Sequence, residues 1–413
     1  MNIAIVGAGV SGLYAAWHLA GRHEVTVFEA EDRLGGHADT QVVEDDGQTR
    51  WIDTGFIVFN RLHYPLLTAW FEALGVESES TDMSFGVSDT VSGMCYNAST
   101  LGRLYCQRRN LLSPRFHGMV LDIARFYRRA PSLLEEIDEQ VTLGEWLAAS
   151  GLGEMFATRH MLPMASALWS APMGDVTRFP MKHLLAFMDN HTMLTLGERP
   201  SWETVRGGSR EYVGAASRCD AQFVVGTPVR SVERREAGVV IRTTSDEARF
   251  DAVIMACHSD QALEILADAS PVERCVLSAV DYQPNETVLH TDASLLPERP
   301  AARAAWNVRI DGQAHNQCRV SYYMNLLQNI DSRQHFIVSL NQTDRIDPDR
   351  ILVRRHYAHP VFTPEAVAAQ ARWNDINGLR RTWFCGAWWG WGFHEDGARS
   401  ARRVIDDIEA RHG

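Results

Sequence analysis

Two histidines have the chemistry to move a proton. His394 lies in the stretch "FCGAWWGWGFHEDGARS", among Trp388, Trp389, Trp391 and two acids. Imidazole changes its charge near neutral pH, so His394 is the leading candidate for a general base. Packing as one more ring of the aromatic stretch is an equally good interpretation. His359, in "HYAHPVF", is a weaker candidate, because a histidine before proline is often a loop residue.

The N-terminus has the pattern of a dinucleotide-binding βαβ unit. A strand, a G-x-G-x-x-G turn, a helix, a second strand and an acid follow one another; they are Ile3–Val6, Gly7 with Gly9 and Gly12, Leu13–Ala20, Val25–Phe28 and Glu29. Gly7 permits a tight turn, Gly9 lets the backbone approach a pyrophosphate, and Gly12 allows close helix–strand packing. The helix N-terminus offers free N–H groups to the phosphates. Glu29 can accept hydrogen bonds from ribose hydroxyls, and its charge argues against a 2′-phosphate, hence against NADP.

A second pair of glycines follows the acid, in Arg33-Leu34-Gly35-Gly36, and can bring another loop onto the same pyrophosphate. This R-x-G-G pattern resembles the flavin-dependent amine oxidase and phytoene desaturase superfamily. Further segments along nearly the whole chain resemble motifs of this superfamily and occur in the same order. They are "WIDTGFIVFN", "TVRGGSREYV", "TPVRSVERREAGVVIRT" and "DAVIMAC". The resemblance implies FAD as the cofactor. We expect it to be bound without a covalent link, because Cys385 lies earlier than the superfamily's attachment site.

The resemblance also assigns cofactor-binding residues. Val229 would contact the adenine through its backbone, and Gly55 and Phe56 would lie near the isoalloxazine. The full set is Gly7, Gly9, Val10, Ser11, Gly12, Glu29, Ala30, Arg33, Gly35, Gly36, His37, Gly55, Phe56, Val229, Gly386, Ala387, Phe393, His394, Glu395, Asp396, Gly397 and Ala398.

In the superfamily the last helix points its N-terminus at the flavin, where the helix dipole stabilises negative charge. The resemblance implies that Gly397 and Ala398 begin this helix. The aromatic stretch before it would lie against the ring system, with one of its three tryptophans in the core. Ala387 departs from the pattern, because the superfamily has there an acid that holds a ribityl hydroxyl. We therefore expect Glu395 or Asp396 to hold the ribityl chain.

The expected fold is α/β, with a Rossmann-like FAD-binding domain of the glutathione reductase and amine oxidase type and a discontinuous α+β substrate domain. The FAD-binding domain is predicted to comprise residues 1–59, 204–281 and 374–413, and the substrate domain residues 60–203 and 282–373. The first insertion reads as mostly helical, and the second contains strand-like segments. A chain of 413 residues exceeds the size at which a single core keeps growing, which agrees with two domains.

Composition agrees with a folded enzyme and limits its partners. The net charge is −12 and no run of basic residues occurs, so nucleic acid is not expected as a partner. The first predicted strand starts too early to leave room for a signal peptide, and no apolar run reaches transmembrane length. The seven cysteines are scattered and never spaced C-x-x-C, which is typical of reduced thiols in the cytoplasm and predicts no metal site.

The first insertion is rich in methionine, whose flexible side chain suits an irregular apolar cavity as well as a helical core. The methionines are Met155, Met161, Met164, Met173, Met181, Met188 and Met193. As a group they favour an apolar tunnel, which we predict lies between the two insertions and ends at the flavin ring.

Longer motifs resemble a narrower group. "HMLPMASALWSAP", "VLHTDASLLP", "AAWNV", "SYYMNLLQNI" and the C-terminal aromatic stretch look like a bacterial family of predicted NAD/FAD-binding proteins, encoded beside cyclopropane-fatty-acyl-phospholipid synthases. Some relatives desaturate methylated fatty acyl chains. The resemblance implies an FAD-dependent oxidoreductase that takes hydride from a methyl-branched or unsaturated acyl chain to flavin N5, with His394 or His359 as the base. It also implies a cyclopropane-type lipid methyltransferase as a functional partner, and contact with the inner face of the membrane by an otherwise cytoplasmic protein.

Two other functions stay open. One is the oxidation of amines or amino acids, and the other is a non-catalytic flavoprotein that supports a lipid methyltransferase. Amine oxidases carry a lysine that holds a water at N5. The chain has a single lysine, Lys182, which stands on a predicted helix rather than on that lysine's usual strand, so we expect it to be structural.

Overall fold

A computed structural model describes residues 1–194, 200–312 and 318–412 of the chain. The strands, numbered in chain order, are β1 Asn2–Val6, β2 Glu24–Phe28, β3 Thr40–Asp45, β4 Gln48–Asp53, β5 Val58–Phe59, β6 Ser78–Ser80, β7 Phe85–Asp89, β8 Met94–Asn97, β9 Glu203–Val205, β10 Gln222–Val224, β11 Ser231–Arg235, β12 Gly238–Arg242, β13 Glu247–Phe250, β14 Ala252–Met255, β15 Asp281–His290, β16 Trp306–Ile310, β17 Val320–Tyr323, β18 Ile337–Leu340, β19 Ile351–Val361 and β20 Thr382–Phe384.

The α-helices are α1 Val10–Leu19, α2 Pro65–Leu74, α3 Leu101–Leu104, α4 Pro114–Glu136, α5 Leu143–Ala149, α6 Glu154–Phe156, α7 Leu162–Trp169, α8 Met173–Val176, α9 Met181–Asn190, α10 Arg210–Ala216, α11 Ser259–Ile265, α12 Pro271–Leu277, α13 Met324–Leu327, α14 Pro364–Gln370 and α15 His394–His412. A π-helical turn, Ala157–Met161, joins α6 to α7.

A parallel sheet with the strand order β10-β2-β1-β14-β20 is the base of the cofactor region. Successive residues of β1 point to opposite faces, as the period of a strand requires. Ile3 and Ile5 pack with α1, α2 and α15 on one face. Ala4 and Val6 pack on the other face with the antiparallel β11-β12-β13 sheet and with α11, α12 and α14. The two layers of helices and strands enclose the sheet, which confirms the predicted α/β fold.

A second, seven-stranded sheet has the order β19-β15-β18-β17-β16-β7-β8. All its neighbours are antiparallel except β16 and β7. Two of its strands, β7 and β8, come from the first insertion, which was expected to be mostly helical. Most of the rest of that insertion forms the helical lobe, α4 to α9, with its own apolar core, whereas α2 packs with the cofactor region.

The methionines of the first insertion belong mainly to that core. Met161, Met164, Met181 and Met188 are buried among the aromatic and aliphatic side chains of the helical lobe. Helical packing, the alternative named from the sequence, accounts for these four residues. The apolar tunnel and the domain boundaries stay predictions.

Candidate active site

The turn between β1 and α1 has the backbone that a pyrophosphate site needs. A Cβ on Gly12 would lie 1.9 Å from the Gly7 carbonyl oxygen, so the helix can approach the strand only with glycine here. A Cβ on Gly9 would meet no protein atom within 4 Å. The space beside Gly9 is therefore open, and α1 begins at Val10 directly after it. The first N–H groups of a helix lack intrahelical acceptors and bind anions.

A second loop closes on the same place. The Gly35 N–H donates to the Ala8 carbonyl oxygen at 2.9 Å, and a Cβ on Gly36 would lie 3.1 Å from the Gly9 Cα. The Arg33 guanidinium donates to the carbonyl oxygens of Gly36 at 2.9 Å and Ala38 at 3.3 Å. Arg33 thus shapes this loop through its carbonyls. We name the turn at residues 7–12 together with the loop at residues 33–37 the cofactor cradle.

The acid at the end of β2 completes the cradle. The half-buried Glu29 carboxylate accepts the Ala8 N–H at 2.8 Å and the Glu31 N–H at 2.9 Å. It keeps lone pairs for further donors such as ribose hydroxyls. The main chain of Val229 makes no hydrogen bond to any residue in the described ranges, as a backbone that binds a purine requires. Ala30, beside Glu29, is exposed.

The last helix meets the first at this cradle, but it begins earlier than expected. α15 starts at His394 rather than at Gly397 or Ala398, so His394, Glu395 and Asp396 form its first turn. The Ser11 hydroxyl donates to the Gly397 carbonyl oxygen at 3.1 Å. A Cβ on Gly397 would lie 2.7 Å from Val10 Cγ1. The N-terminal ends of two helices therefore converge where the cofactor's negative charge is expected.

The two acids of this turn have other partners than the sequence suggested. The Glu395 carboxylate accepts the N–H groups of Leu66 at 3.1 Å and Leu67 at 3.0 Å, and so caps the N-terminus of α2. Asp396 accepts the N–H groups of Trp391 at 3.0 Å and Phe393 at 3.1 Å. Burial raises the pKa of both, that of Asp396 to about 6. Both carboxylates hold protein backbone, which gives each a structural role, and the expectation that one of them also holds the ribityl chain stays a prediction.

The aromatic stretch before α15 divides into core and lining. Trp388 is buried and stacks on Trp389 with ring centroids 4.1 Å apart, so it is the expected core residue. Trp391 and Phe393 turn toward the helical lobe. The Trp169 indole N–H donates to the Trp391 carbonyl oxygen at 3.0 Å, and Phe393 stacks on Phe187 at 5.0 Å. The Gly386 N–H, next to Ala387, donates to the Ser400 hydroxyl at 2.9 Å.

Four histidines from distant parts of the chain lie near one another beside the cradle. The His37 ring centroid lies 5.3 Å from that of His359 and 5.9 Å from that of His258. Burial, and then the neighbouring histidines, lower their pKa values, to about 4 for His37 and His258 and about 3 for His359 and His394. All four are therefore neutral at pH 7. We name His37, His258, His359 and His394 the histidine wall.

Backbone packing fixes His37 in this wall. A Cβ on Gly55 would lie 2.0 Å from the His37 carbonyl oxygen, so only glycine lets the two segments touch. Asp53, two residues earlier, is buried and accepts hydrogen bonds from Thr40, Ser209 and Gln328. Asp53 joins three distant segments. Neither Asp53 nor His258 was predicted from the sequence as a site residue. The available signals are the position of Asp53 in the "D-x-G" segment and that of His258 three residues after the buried strand β14.

The proton on His359 is fixed by a chain of amides. The Glu286 N–H donates to Asn341 Oδ1 at 2.9 Å, so Asn341 Nδ2 is free to donate to Asn285 Oδ1 at 2.7 Å. This leaves Asn285 Nδ2 facing His359 Nδ1 at 2.9 Å. An amide nitrogen can only donate, so Nδ1 accepts and the neutral ring carries its proton on Nε2. His359 can then only donate through Nε2, which has no lone pair with which to act as a base.

His394 is held between two aromatic residues. Its ring stacks on Phe56 with centroids 3.8 Å apart, and its Nε2 lies 3.1 Å from the Tyr212 hydroxyl oxygen. Burial raises the pKa of Tyr212 well above its ordinary value, so the phenol stays protonated. A pKa of about 3 makes the His394 imidazole a weak proton acceptor. The geometry favours the aromatic and hydrogen-bonding role for His394.

Three observations limit other chemistries. Lys182 lies on the outside of α9, where its ammonium is 3.3 Å from Glu139. The described residues contain no group of three or more His, Cys, Asp or Glu side chains arranged to hold a metal ion. No helix within the described ranges combines the length and apolarity needed to cross a bilayer.

Comparison with known proteins agrees with this geometry. The family model described as flavin containing amine oxidoreductase matches residues 10–289. AofH of Mycobacterium tuberculosis, which carries the name of a flavin-containing monoamine oxidase, is 26% identical over 270 residues, covering 62% of this chain. The chain spans about half the length of that relative, 56%. The match to the family model covers more than half of the chain, so the chain belongs to the flavin-containing amine oxidoreductase family.

Solved structures show the same fold at low identity. Cyclohexylamine oxidase from Brevibacterium oxydans superposes with a TM-score of 0.73 at 15% identity over 99% of both chains. A conjugated-linoleic-acid-producing fatty acid isomerase from P. acnes superposes with a TM-score of 0.69 at 17% identity, over 100% of this chain and 99% of its own. Identities this low establish the fold alone.

The class of protein follows from the family and the cradle together. The open space at Gly9, the paired glycine loops and the unpartnered Val229 backbone fit FAD. The chain is therefore a member of the flavin-containing amine oxidoreductase family whose cradle fits FAD.

Proposed function

We propose that the chain oxidises a long, uncharged substrate, and specifically that it desaturates a methyl-branched or unsaturated fatty acyl chain. The observation that carries the proposal is the neutrality of the histidine wall, and we propose that the space it faces is the substrate cavity. The wall is uncharged at pH 7, and the aromatic ring of Phe56 stacks on His394. Such a lining offers contact area to an apolar chain and no partner for a charged substrate group.

The charged groups near the cavity are already paired within the protein. Arg33 is bound to the carbonyls of the second loop, and Arg355 donates to Asp39 at 2.7 Å. Glu395 and Asp396 hold backbone N–H groups. An amino-acid oxidase uses an arginine to clamp the substrate carboxylate, and these pairings leave neither arginine free for that purpose.

The position of Lys182 weighs against amine oxidation. The lysine of amine oxidases lies at the flavin, whereas this chain's single lysine lies on the surface of the helical lobe, 3.3 Å from Glu139. Amine oxidation is nevertheless the runner-up, because the relative AofH and the fold neighbour cyclohexylamine oxidase carry amine oxidase names. The fatty acid isomerase among the fold neighbours supports the oxidation of an acyl chain, because its name indicates that a protein with this fold acts on a fatty acid.

The chain's own residues would act by position and by exclusion of water. FAD, when bound, supplies the hydride acceptor. His359 holds an N–H in the cavity through Asn285. The Phe56 ring, stacked on His394, would give the apolar chain a further contact and help to keep water out. His394 is the base proposed from the sequence for the neighbouring proton, and its hydrogen bond to Tyr212 is the contact that opposes this role. A cyclopropane-type lipid methyltransferase, as source of the methyl branch, belongs to the same proposal.

Two measurements test the proposal. Mass spectrometry of lipids from cells that express a cyclopropane-type methyltransferase should show acyl chains two mass units lighter when this chain is added. Gly9→Val, which fills the cofactor space, is the matched control and should give the lipids of the methyltransferase alone. In parallel, purified protein is mixed anaerobically with acyl lipids, with amines and with amino acids. Bleaching of the flavin by an amine or amino acid, and by no lipid, would establish the runner-up instead.

A further inference from the structure

The surface at residues 101–129 has a charge opposite to that of the whole protein. This segment contains seven arginines and a single acid, Asp122, in a chain whose net charge is −12. The arginines are Arg103, Arg108, Arg109, Arg115, Arg125, Arg128 and Arg129. They form no continuous run, so they become one basic surface only in the folded protein.

Large apolar side chains are exposed in the same segment. The exposed fraction is 76% for Leu101, 53% for Leu111, 87% for Leu112 and 57% for Leu121. Isolated exposed leucines are ordinary, but four within 21 residues of chain are not. We name these four leucines with Arg108, Arg115, Arg125, Arg128 and Arg129 the leucine–arginine surface.

Local hydrogen bonds hold this surface together. His117, on α4, lies with Nδ1 3.0 Å from the Tyr105 hydroxyl and with Nε2 2.9 Å from the Leu111 carbonyl oxygen. The end of α3, the turn Arg108–Leu112 and the start of α4 are therefore one compact unit. On α4, Leu121, Arg125 and Arg128 are spaced by four and three residues, which places them on one outer face of the helix.

The side chains of four of these arginines have no hydrogen-bond or ion-pair partner among the residues that the structure describes. They are Arg108, Arg115, Arg128 and Arg129. Most arginines elsewhere are paired, for example Arg61 with Glu72 and Glu203. These arginines, which have no partner among the described residues, surround exposed leucines. The surface is therefore complementary to a partner that is both anionic and apolar.

We propose that the leucine–arginine surface docks on an anionic lipid bilayer. The exposed leucines would enter the boundary between the lipid headgroups and the acyl chains, and the guanidinium groups would bind lipid phosphates. The negative charge of the rest of the chain is repelled by the same bilayer, so docking has a single orientation. Nucleic acid would satisfy the arginines but would leave four leucines in water, and for this reason the bilayer is favoured.

Vesicle sedimentation tests the docking. The flavin-loaded protein is mixed with vesicles of equal parts phosphatidylglycerol and phosphatidylcholine, or of phosphatidylcholine alone. We expect binding to the anionic vesicles to be at least about tenfold tighter and to weaken as salt is added. The double changes Leu111→Ser with Leu112→Ser, and Arg108→Glu with Arg115→Glu, should each weaken it by about tenfold or more.

Matched controls lie outside the segment. Leu379→Ser changes a leucine that is 49% exposed, and Arg333→Glu an exposed arginine that likewise has no partner among the described residues. Both should sediment as the unchanged protein does, and flavin content reports correct folding in every variant. The proposal is overturned if the unchanged protein stays in the supernatant, if the segment variants sediment as well as the controls, or if the surface retains an oligonucleotide and no vesicle. Lipid binding is the readout, so the result does not depend on which substrate is oxidised.

Discussion

The cofactor cradle and the histidine wall meet at His37 but are built in different ways. The cradle consists of backbone from two short segments, residues 7–12 and 33–37, and its shape depends on where a Cβ is missing. The wall consists of side chains from positions 37, 258, 359 and 394, which meet only after two sheets and the last helix have packed. The shape of the cradle therefore depends on short local segments, whereas the wall forms only when distant parts of the chain have packed together.

This difference predicts opposite sensitivities. In the cradle, one added carbon decides whether the site exists, and the polarity of the side chain matters little. In the wall, side-chain volume changes little between histidine and asparagine or phenylalanine, but the hydrogen-bond partner decides which nitrogen carries the proton. Substitutions that isolate these two kinds of dependence test the comparison.

The largest expected effect separates two glycines of one motif. Gly12→Val places a Cβ 1.9 Å from the Gly7 carbonyl oxygen, so helix and strand must separate and the protein should not fold. The Cβ of Gly9→Val would meet no protein atom within 4 Å, so the protein should fold, but the side chain would occupy the space expected for the pyrophosphate and the protein should carry no FAD. Circular dichroism reports folding and visible absorbance reports flavin. A yellow Gly9→Val protein would show that the pyrophosphate lies elsewhere.

Sequence reasoning succeeded where neighbours in sequence are neighbours in space. The dinucleotide cradle was predicted because the glycine spacing, the acid and the flanking strands all lie within residues 3–36. FAD and the overall α/β architecture followed from the resemblance to the amine oxidase and phytoene desaturase superfamily. The start of α15 was placed three residues late, because the capping contacts of Asp396 with Trp391 and Phe393 are not visible in the sequence. His258 and Asp53 were missed because their partners are hundreds of residues away or on other sheets. The leucine–arginine surface was missed because its arginines are spaced apart in sequence.

The second prediction concerns Asn285, whose side-chain amide donates to His359 Nδ1 and so fixes the position of the ring proton. Asn285→Asp replaces the amide nitrogen opposite Nδ1 by a carboxylate oxygen, which can only accept. The proton should move to Nδ1, and the pKa of His359 should rise from about 3 because a negative charge now lies beside it. Nitrogen-15 NMR of histidine-labelled protein distinguishes the two tautomers directly.

The matched control for this change is Asn377→Asp, a buried asparagine that bonds Trp373 and Phe384 instead. It should leave the His359 resonances unmoved. If His359 carries its proton on Nδ1 already in the unchanged protein, the amide chain from Glu286 does not set its tautomer.

A smaller effect is expected at His394. His394→Phe preserves the flat ring stacked on Phe56 and should keep FAD bound. If His394 were a general base, its removal would slow the reduction of the flavin by substrate roughly 10²–10⁴-fold. The bond to Tyr212 and the pKa of about 3 lead us to expect a change below about tenfold. Rapid mixing of the variant with substrate measures it, and Tyr212→Phe is the companion variant. A loss of a hundredfold or more would restore His394 as the base.

The smallest effect is expected at Lys182, the one residue that would tie this chain to amine oxidation. Lys182→Met removes an ammonium on the surface, 3.3 Å from Glu139, and exposed pairs of this kind contribute about 0–1 kcal/mol. The melting temperature and the rate of flavin reduction should both equal those of the unchanged protein. Glu139→Gln breaks the same pair from its other side and serves as the control. If Lys182→Met alone slowed flavin reduction while Glu139→Gln did not, the lysine would have to reach the flavin during turnover. The neutral lining of the cavity would then no longer argue for an uncharged substrate.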